Sequence, residues 1–139
     1  MNHEQKIAML DAARAARNNA WAPYSGFAVG AAVLGGTGRI YAGCNVENAS
    51  YPVGSCAERN AIGAAVAAGE TSIAAVLVTS IDEKPVPPCG MCRQALAEFG
   101  IEMTVITVGK YGAEKTFTLD QLLPEAFGSG FLANLQKDT

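Results

Sequence analysis

The segment Cys56-Ala57-Glu58, answered further along by Pro88-Cys89-Gly90-Met91-Cys92, constrains this chain more than any other feature. If these residues work together, the fold must bring two distant segments to one point. Three thiolates suit a tetrahedral zinc and leave its fourth position open for water. Glu58, close to the first ligand, is placed to move that water's protons.

Plainer readings compete. A lone C-x-x-C also fits a redox pair or half of a closed structural zinc site. The only histidine, His3, lies in a terminal segment, and the only other cysteine is Cys44. Cys44 could complete a four-cysteine site. The small apolar residues around it, at a strand end, read instead as the setting of a buried core thiol. A thioredoxin-like pair would follow the first strand of a βαβ unit and would leave Cys56 unexplained. Ser55-Cys56-Ala57-Glu58 also fits an S-x-x-E capping box, which gives Glu58 a purely structural task. Arg59 reads equally well as a surface residue or as a donor to thiolate sulfur, offsetting the negative charge of three thiolates around Zn2+.

Composition narrows the partners. With 139 residues the chain has the length of one domain, 1–139, with a sizeable core. Half the residues are hydrophobic and only 17% are charged, an apolar balance that points to surface buried between subunits. The net charge of -3 and the lack of a Lys/Arg run argue against nucleic acid and for a small, weakly charged ligand. Met1-Asn2-His3-Glu4 starts no signal peptide, and no apolar run is long enough to span a membrane. Four cysteines without secretory context suggest a reducing, cytoplasmic setting.

The chain reads as alternating elements. Asn2 caps a helix over His3 to Ala20, with Ile7, Leu10 and Ala13 on its apolar period and Arg14 and Arg17 on the wetter side. A strand from Phe27 to Leu34, a turn at Gly35-Gly36-Thr37-Gly38 and a strand from Arg39 to Val46 form a hairpin. After a loop over Asn48 to Gly54, Ser55 opens an Ala-rich helix, Cys56 to Ala68, in which Gly63 suggests a close neighbour. Ile73 to Ser80 and Ile101 to Val108 read as strands covered on both faces. Between them lie a proline-rich loop, Asp82 to Pro88, and a helix over Cys89 to Phe99. A turn over Lys110 to Lys115, a short edge strand from Thr116 to Leu119, a short helix and an irregular tail complete the chain. This order predicts a mixed sheet with helices on both faces. Cys56 and Cys89 then fall at helix N-termini, where positive potential stabilises thiolates, and Cys92 shares a helix face with Cys89.

Cys56-Ala57-Glu58-Arg59 with Pro88-Cys89-Gly90-Met91-Cys92-Arg93-Gln94 resembles the small zinc-dependent cytidine deaminases, whose zinc ligands, non-ligand Glu and P-C-x-x-C segment follow this pattern. Tyr24-Ser25-Gly26-Phe27-Ala28-Val29-Gly30-Ala31-Ala32 and Asn45-Val46-Glu47-Asn48-Ala49-Ser50-Tyr51 are similar to that family's other signature segments. The resemblance covers nearly the whole chain and implies a three-layer α/β/α fold around a mixed five-stranded sheet. It implies one Zn2+ per chain on Cys56, Cys89 and Cys92, Glu58 as proton shuttle, and Arg59 hydrogen-bonded to the zinc thiolates. It further implies that Asn45 and Glu47 bind the ribose 3′-hydroxyl, that Phe27 packs on the pyrimidine, and that the Ala57 amide meets the base carbonyl. Tyr51 and Phe127 match positions that reach a neighbouring subunit's site in a homotetramer. The activity implied is hydrolytic deamination of cytidine and deoxycytidine in pyrimidine salvage. Two alternatives stand beside it: deamination of another cytosine compound, such as blasticidin S or a nucleic-acid base, and a non-catalytic zinc or redox module.

Overall fold

Central strands whose apolar side chains alternate between two buried faces set the architecture. The computed structural model describes residues 1–136. Strands β1 (Val29–Gly35), β2 (Ile40–Cys44), β3 (Ile73–Ser80), β4 (Thr104–Val108) and β5 (Glu114–Thr118) form one sheet in the order β2-β1-β3-β4-β5. β3 and β4 run parallel, and the other neighbouring pairs are antiparallel. Ala31, Val33, Val76, Val78 and Val105 cluster with α2 (Ala57–Ala67) and α3 (Gly90–Ala97). Ala32, Leu34, Ala75, Leu77, Ile106 and Val108 cluster with α1 (His3–Arg17). This period of two over a doubly covered sheet explains why β3 and β4 read as unbroken apolar runs. The result is the expected three-layer α/β/α fold with a mixed five-stranded sheet. Two short helices, α4 (Leu119–Leu122) and α5 (Ser129–Gln136), follow β5. The expected irregular tail extends beyond the described residues.

α1 starts where the sequence placed it. Asn2 accepts from the Gln5 amide at 2.8 Å, and the Gln5 side chain accepts from the Asn2 amide at 2.9 Å, a reciprocal cap. Its buried face differs from the expectation. Met9 and Ala13 are sealed against the sheet, whereas Ile7 is 48% exposed. Arg17 is not on the wetter side: its Nη1 donates to Thr79 Oγ1 at 3.2 Å and to the Ser80 carbonyl at 2.8 Å. The helix also ends three residues earlier than the expected Ala20, as Asn19 and Ala20 turn back onto Ala16 and Arg17 through tighter bonds. Gly30 lets α1 lie flat on β1, since a Cβ there would come within 1.9 Å of the Ala13 carbonyl oxygen.

On the other face α2 buries Ala57, Ala61 and Ala65, one side chain per turn. Gly63 is not the point of close approach: it is exposed, and a Cβ there would meet nothing. The close approach comes from the sheet, where a Cβ on Gly43 would lie 2.5 Å from the Ala61 amide nitrogen. At the far end of α2, buried Glu70 accepts hydrogen bonds from Thr37 and Tyr41 and so ties the hairpin to the helix.

The boundaries moved most where side chains replace the strand ladder. β1 begins at Val29 rather than Phe27, because the Phe27 main chain is bonded by side chains, its carbonyl by Asn45 and its amide by Ser25. β2 stops at Cys44 rather than Val46. Beyond it, Val46 bridges Trp21 on one side and Ser55 on the other, outside the sheet. β4 starts at Thr104 rather than Ile101, and β5 starts at Glu114 rather than Thr116, in step with their mutual register from Thr104 opposite Thr118 to Val108 opposite Glu114. The Asn48 to Gly54 loop contains one short 3₁₀ turn, Tyr51–Val53.

Candidate active site

Two helix N-termini bring the cysteines together. Cys56 is the N-cap of α2, Cys89 is the N-cap of α3, and neither side chain caps its own helix. Both sulfurs are therefore free to face a common point, near amides that have no intrahelical partner. The ligand atoms of Cys56, Cys89 and Cys92 all lie within 4.8 Å of one another. Cys92 is buried, Cys56 half-buried and Cys89 exposed. Arg93 steadies this end: its Nε donates to the Pro88 carbonyl at 2.8 Å and its Nη1 to the Leu122 carbonyl at 2.7 Å, anchoring the residue before Cys89.

The electrostatics suit a cation. A hydrogen bond from Cys92 lowers the Cys56 thiol to about 5, and Arg59 adds to the effect. The same bond, with burial and the nearby Glu58 charge, pushes Cys92 up. The pair thus favours negative charge on Cys56, and a metal held by both sulfurs would displace the remaining thiol proton. Arg59 Nη2 points at Cys56 Sγ from 3.9 Å and donates to the Gly54 carbonyl at 3.3 Å, while Nε is buried without a partner among the described residues. Three clustered sulfurs with a guanidinium against them fit a zinc-thiolate set, whose net charge is negative and which accepts such donors.

Glu58 is 4% exposed, on the first turn of α2. Burial raises its pKa above the ordinary carboxylate value, and a hydrogen bond from its own amide acts against that. The capping-box expectation is corrected here. Cys56, not Ser55, is the N-cap, so Glu58 stands one position too early to reach back to it. Ser55 instead donates to Asn60 Oδ1 at 2.7 Å.

A cleft of about 310 Å³ opens beside this cluster, within the size range of small-molecule sites. Phe27, Asn45, Glu47, Cys56, Ala57, Glu58 and Cys89 all line it. Asn45 accepts from the Val29 amide at 2.9 Å and donates to the Phe27 carbonyl at 2.7 Å. Glu47 accepts from the Tyr24 amide at 3.0 Å, the Ser25 amide at 3.1 Å and the Ser25 hydroxyl. The Ser25 hydroxyl in particular holds the Glu47 carboxyl below its ordinary pKa. Ser25, Val29, Val78, Ser80, Val86 and Pro87 also line the cleft, and sequence reasoning assigned them no role there. For Val86 and Pro87 a signal existed, since a proline-rich loop led straight into Cys89. For Ser25 it was only position within a motif.

Three residues lie elsewhere. Tyr51 is 75% exposed and walls an adjoining cleft of about 330 Å³ with Tyr24, Ser25, Glu47, Asn48 and Gly54. Phe127 is 57% exposed, stacks on Phe131 at 5.5 Å and does not line the cleft beside Glu58. Cys44 is half-buried rather than fully buried and stands outside the sulfur cluster.

The molecule matches known proteins over most of its length. A sequence model described as the cytidine and deoxycytidylate deaminase zinc-binding region matches residues 3–108. A cytidine deaminase of Sporosarcina psychrophila is 46% identical over 121 residues, 86% of this chain and 88% of that relative. The crystal structure of cytidine deaminase from Burkholderia pseudomallei matches with a TM-score of 0.84 at 43% identity, covering 91% of this chain and 100% of that one. Cytidine deaminase from Mycobacterium tuberculosis matches with a TM-score of 0.76 at 36% identity, covering 88% and 97%.

Proposed function

Because the chain belongs to the family of zinc-dependent cytidine deaminases, we propose that it hydrolyses cytidine and deoxycytidine to uridine and deoxyuridine with release of ammonia. In this reading residues 1–139 form one catalytic domain serving pyrimidine salvage in the cytoplasm. The observation that carries the reading is the convergence of buried Glu58, Phe27, Asn45 and Glu47 on one cleft beside the three clustered sulfurs.

Cys56, Cys89 and Cys92 would hold the zinc, which when bound supplies the Lewis acidity that makes water a nucleophile near neutral pH. Glu58 takes a proton from the attacking water and delivers it to pyrimidine N3. Protonation there makes the amino-bearing carbon electrophilic, and the water oxygen adds to it. Glu58 then carries the remaining hydroxyl proton to the amino nitrogen, the carbon–nitrogen bond breaks, and ammonia leaves. One carboxylate serves as base and acid in turn, and burial favours this role by holding its protonated form within reach. Arg59 offsets the thiolate charge. Phe27 packs against the ring, the Ala57 amide holds the base carbonyl, and Asn45 and Glu47 hold the ribose 3′-hydroxyl.

Exposed apolar side chains support assembly into a homotetramer. Tyr51, Val53, Trp21 and Phe127 are each more than half exposed, apolar side chains that a homotetramer would bury. Tyr51 and Phe127 would then complete a neighbour's site.

Ultraviolet assays with cytidine, deoxycytidine, cytosine and CMP test the reading. The two nucleosides should be turned over well. Cytosine should fail because it leaves Asn45 and Glu47 without a hydroxyl, a defect that costs up to about 10⁴–10⁵-fold in sites of this kind. CMP should fail because, among the described residues, the cleft is lined by Glu47 and Glu58 and by no lysine or arginine. Comparable kcat/KM for cytidine, cytosine and CMP would sink this account.

A further inference from the structure

Asn60 sits one turn into α2, and its amide closes a helical hydrogen bond onto the Cys56 carbonyl at 3.1 Å. Its side chain reaches off the helix. Nδ2 donates to the Cys44 carbonyl at 2.8 Å, and Oδ1 accepts from the Ser55 hydroxyl at 2.7 Å. The Cys44 carbonyl can only accept, so it fixes which end of the amide faces it, and the Ser55 hydroxyl supplies the donor for the other end. Cys44 immediately precedes Asn45, and Ser55 immediately precedes Cys56. One amide therefore ties the start of the Asn45–Glu47 segment to the residue before the first sulfur ligand. The short reach is possible because α2 lies directly on β2 at Gly43.

The main chain supplies part of this link, and Asn60 adds a bond from the body of α2. Val46 and Ser55 exchange two hydrogen bonds of 2.9 Å, and Trp21 bonds Asn45 and Glu47 at 3.0 Å and 2.8 Å. The Val46–Ser55 pair joins the segment to the residue before Cys56, but none of these main-chain bonds reaches a residue within α2. Among the described residues, Asn60 is the α2 side chain that hydrogen-bonds the segment from Cys44 to Glu47. α2 is also the helix whose first turn carries Glu58.

We propose that Asn60 and Ser55 are a positioning pair that registers the ribose-binding segment Asn45–Glu47 against the reacting end at Cys56 and Glu58, and so contribute to preference for substrates with a 3′-hydroxyl. This rests on the reading of Asn45 and Glu47 as ribose ligands. A nucleoside spans both ends, so a slip between them costs most when both are engaged, and a displacement of about 1 Å can cost on the order of 10²-fold.

The experiment compares deamination of cytidine and 3′-deoxycytidine by the zinc-loaded enzyme and by N60A, N60D, S55A and S55T, with zinc content and melting temperature recorded for each. Where 3′-deoxycytidine turns over too slowly, competitive inhibition by uridine and 3′-deoxyuridine gives the corresponding ratio. Asn60→Ala should lose roughly tenfold or more in kcat/KM for cytidine and less than about twofold for 3′-deoxycytidine, with zinc retained. Asn60→Asp sets a second acceptor against the Cys44 carbonyl and should lose at least as much. Ser55→Thr keeps the hydroxyl and should keep the native ratio. If the Asn60 variants do not fold, Ser55→Ala, which removes one hydroxyl, decides. Equal proportional losses on the two substrates, or an unchanged ratio in a folded, zinc-loaded variant, overturn the positioning role. If the unsubstituted enzyme itself does not discriminate, the ribose reading falls first and the positioning claim with it.

Discussion

The two ends of the cleft are built differently. At the sulfur end the side chains sit on the first turns of α2 and α3, Glu58 and Cys92 are buried, and the thiol bonded to Cys56 is held by the helices themselves. At the other end Asn45 and Glu47 leave the sheet past β2. They are held by isolated bridges and by hydrogen bonds to the turn that carries Ser25 and Phe27. Helix termini give the first end fixed dipoles and rigidity. The second end depends on a handful of individual bonds. Rigid placement suits proton transfer at a reacting carbon, whereas a hydroxyl clamp tolerates more give. Substitutions at the two ends should therefore differ in kind as well as in size.

The largest effect belongs to the sulfur end. Glu58→Gln keeps shape and removes the ability to carry protons, so turnover should fall by at least about 10²–10⁴-fold, the usual contribution of one positioned acid/base group. The loss should fall on kcat. Zinc content should be unchanged, because Glu58 is not among the clustered sulfurs. With Cys56 as the N-cap, the helix itself should lose little. A folded, zinc-loaded variant with near-normal turnover would leave Glu58 without a chemical role.

The same contrast governs what could be read without coordinates. The sulfur end was legible because its spacing is local: two short segments, each at a helix start, carry every chemical group. Even there the cap was misplaced by one residue. A capping box cannot be told from the sequence alone when the residue after the serine is itself able to stand outside the helix. The other end was legible only through resemblance. Nothing in Asn45, Glu47 or Phe27 taken singly marks them, since a strand-end amide, a loop carboxylate and an aromatic opening an apolar run are common core or surface features. Ser25 went unassigned because its task is to hold Glu47 and Phe27, a tertiary relation with no local pattern. The sheet was legible through its unbroken apolar runs and the turns between them, but strand ends were not, because side-chain bonds from Asn45 and Ser25 displaced the ladder at Phe27.

A smaller effect should come from the loop-built end. Glu47→Gln retains one acceptor oxygen but turns an NH₂ group toward the donors of Tyr24 and Ser25. Weakening these charge-assisted bonds should cost roughly 10–100-fold in kcat/KM for cytidine. The variant should show it mainly as a raised KM, because binding away from the reacting atoms is disturbed while Glu58 and the sulfurs are not. Steady-state kinetics separate the two parameters. A loss confined to kcat, or one larger than that of Glu58→Gln, would mean that this end does more than clamp the sugar.

The smallest effect is expected at Cys44, which belongs to neither end. Cys44 lies opposite Gly30 in the antiparallel pairing of β2 with β1, and paired residues point to the same face of a sheet. Gly30 faces α1, since a Cβ there would meet the Ala13 carbonyl. The Cys44 thiol is therefore directed to the α1 layer, while Cys56, Cys89 and Cys92 sit at the ends of helices in the opposite layer. A fourth thiolate from Cys44 would have to cross the sheet. Cys44→Ala should leave zinc content as in the unsubstituted chain, keep kcat/KM within about twofold, and shift stability by about 1 kcal/mol or less, the scale of burying one small group. Metal analysis beside a melting curve checks all of this. Loss of zinc in a folded Cys44→Ala protein would mean a closed, four-cysteine structural site with no open position for water. That single result would remove the chemical basis of the sulfur end and make the comparison between the two ends meaningless.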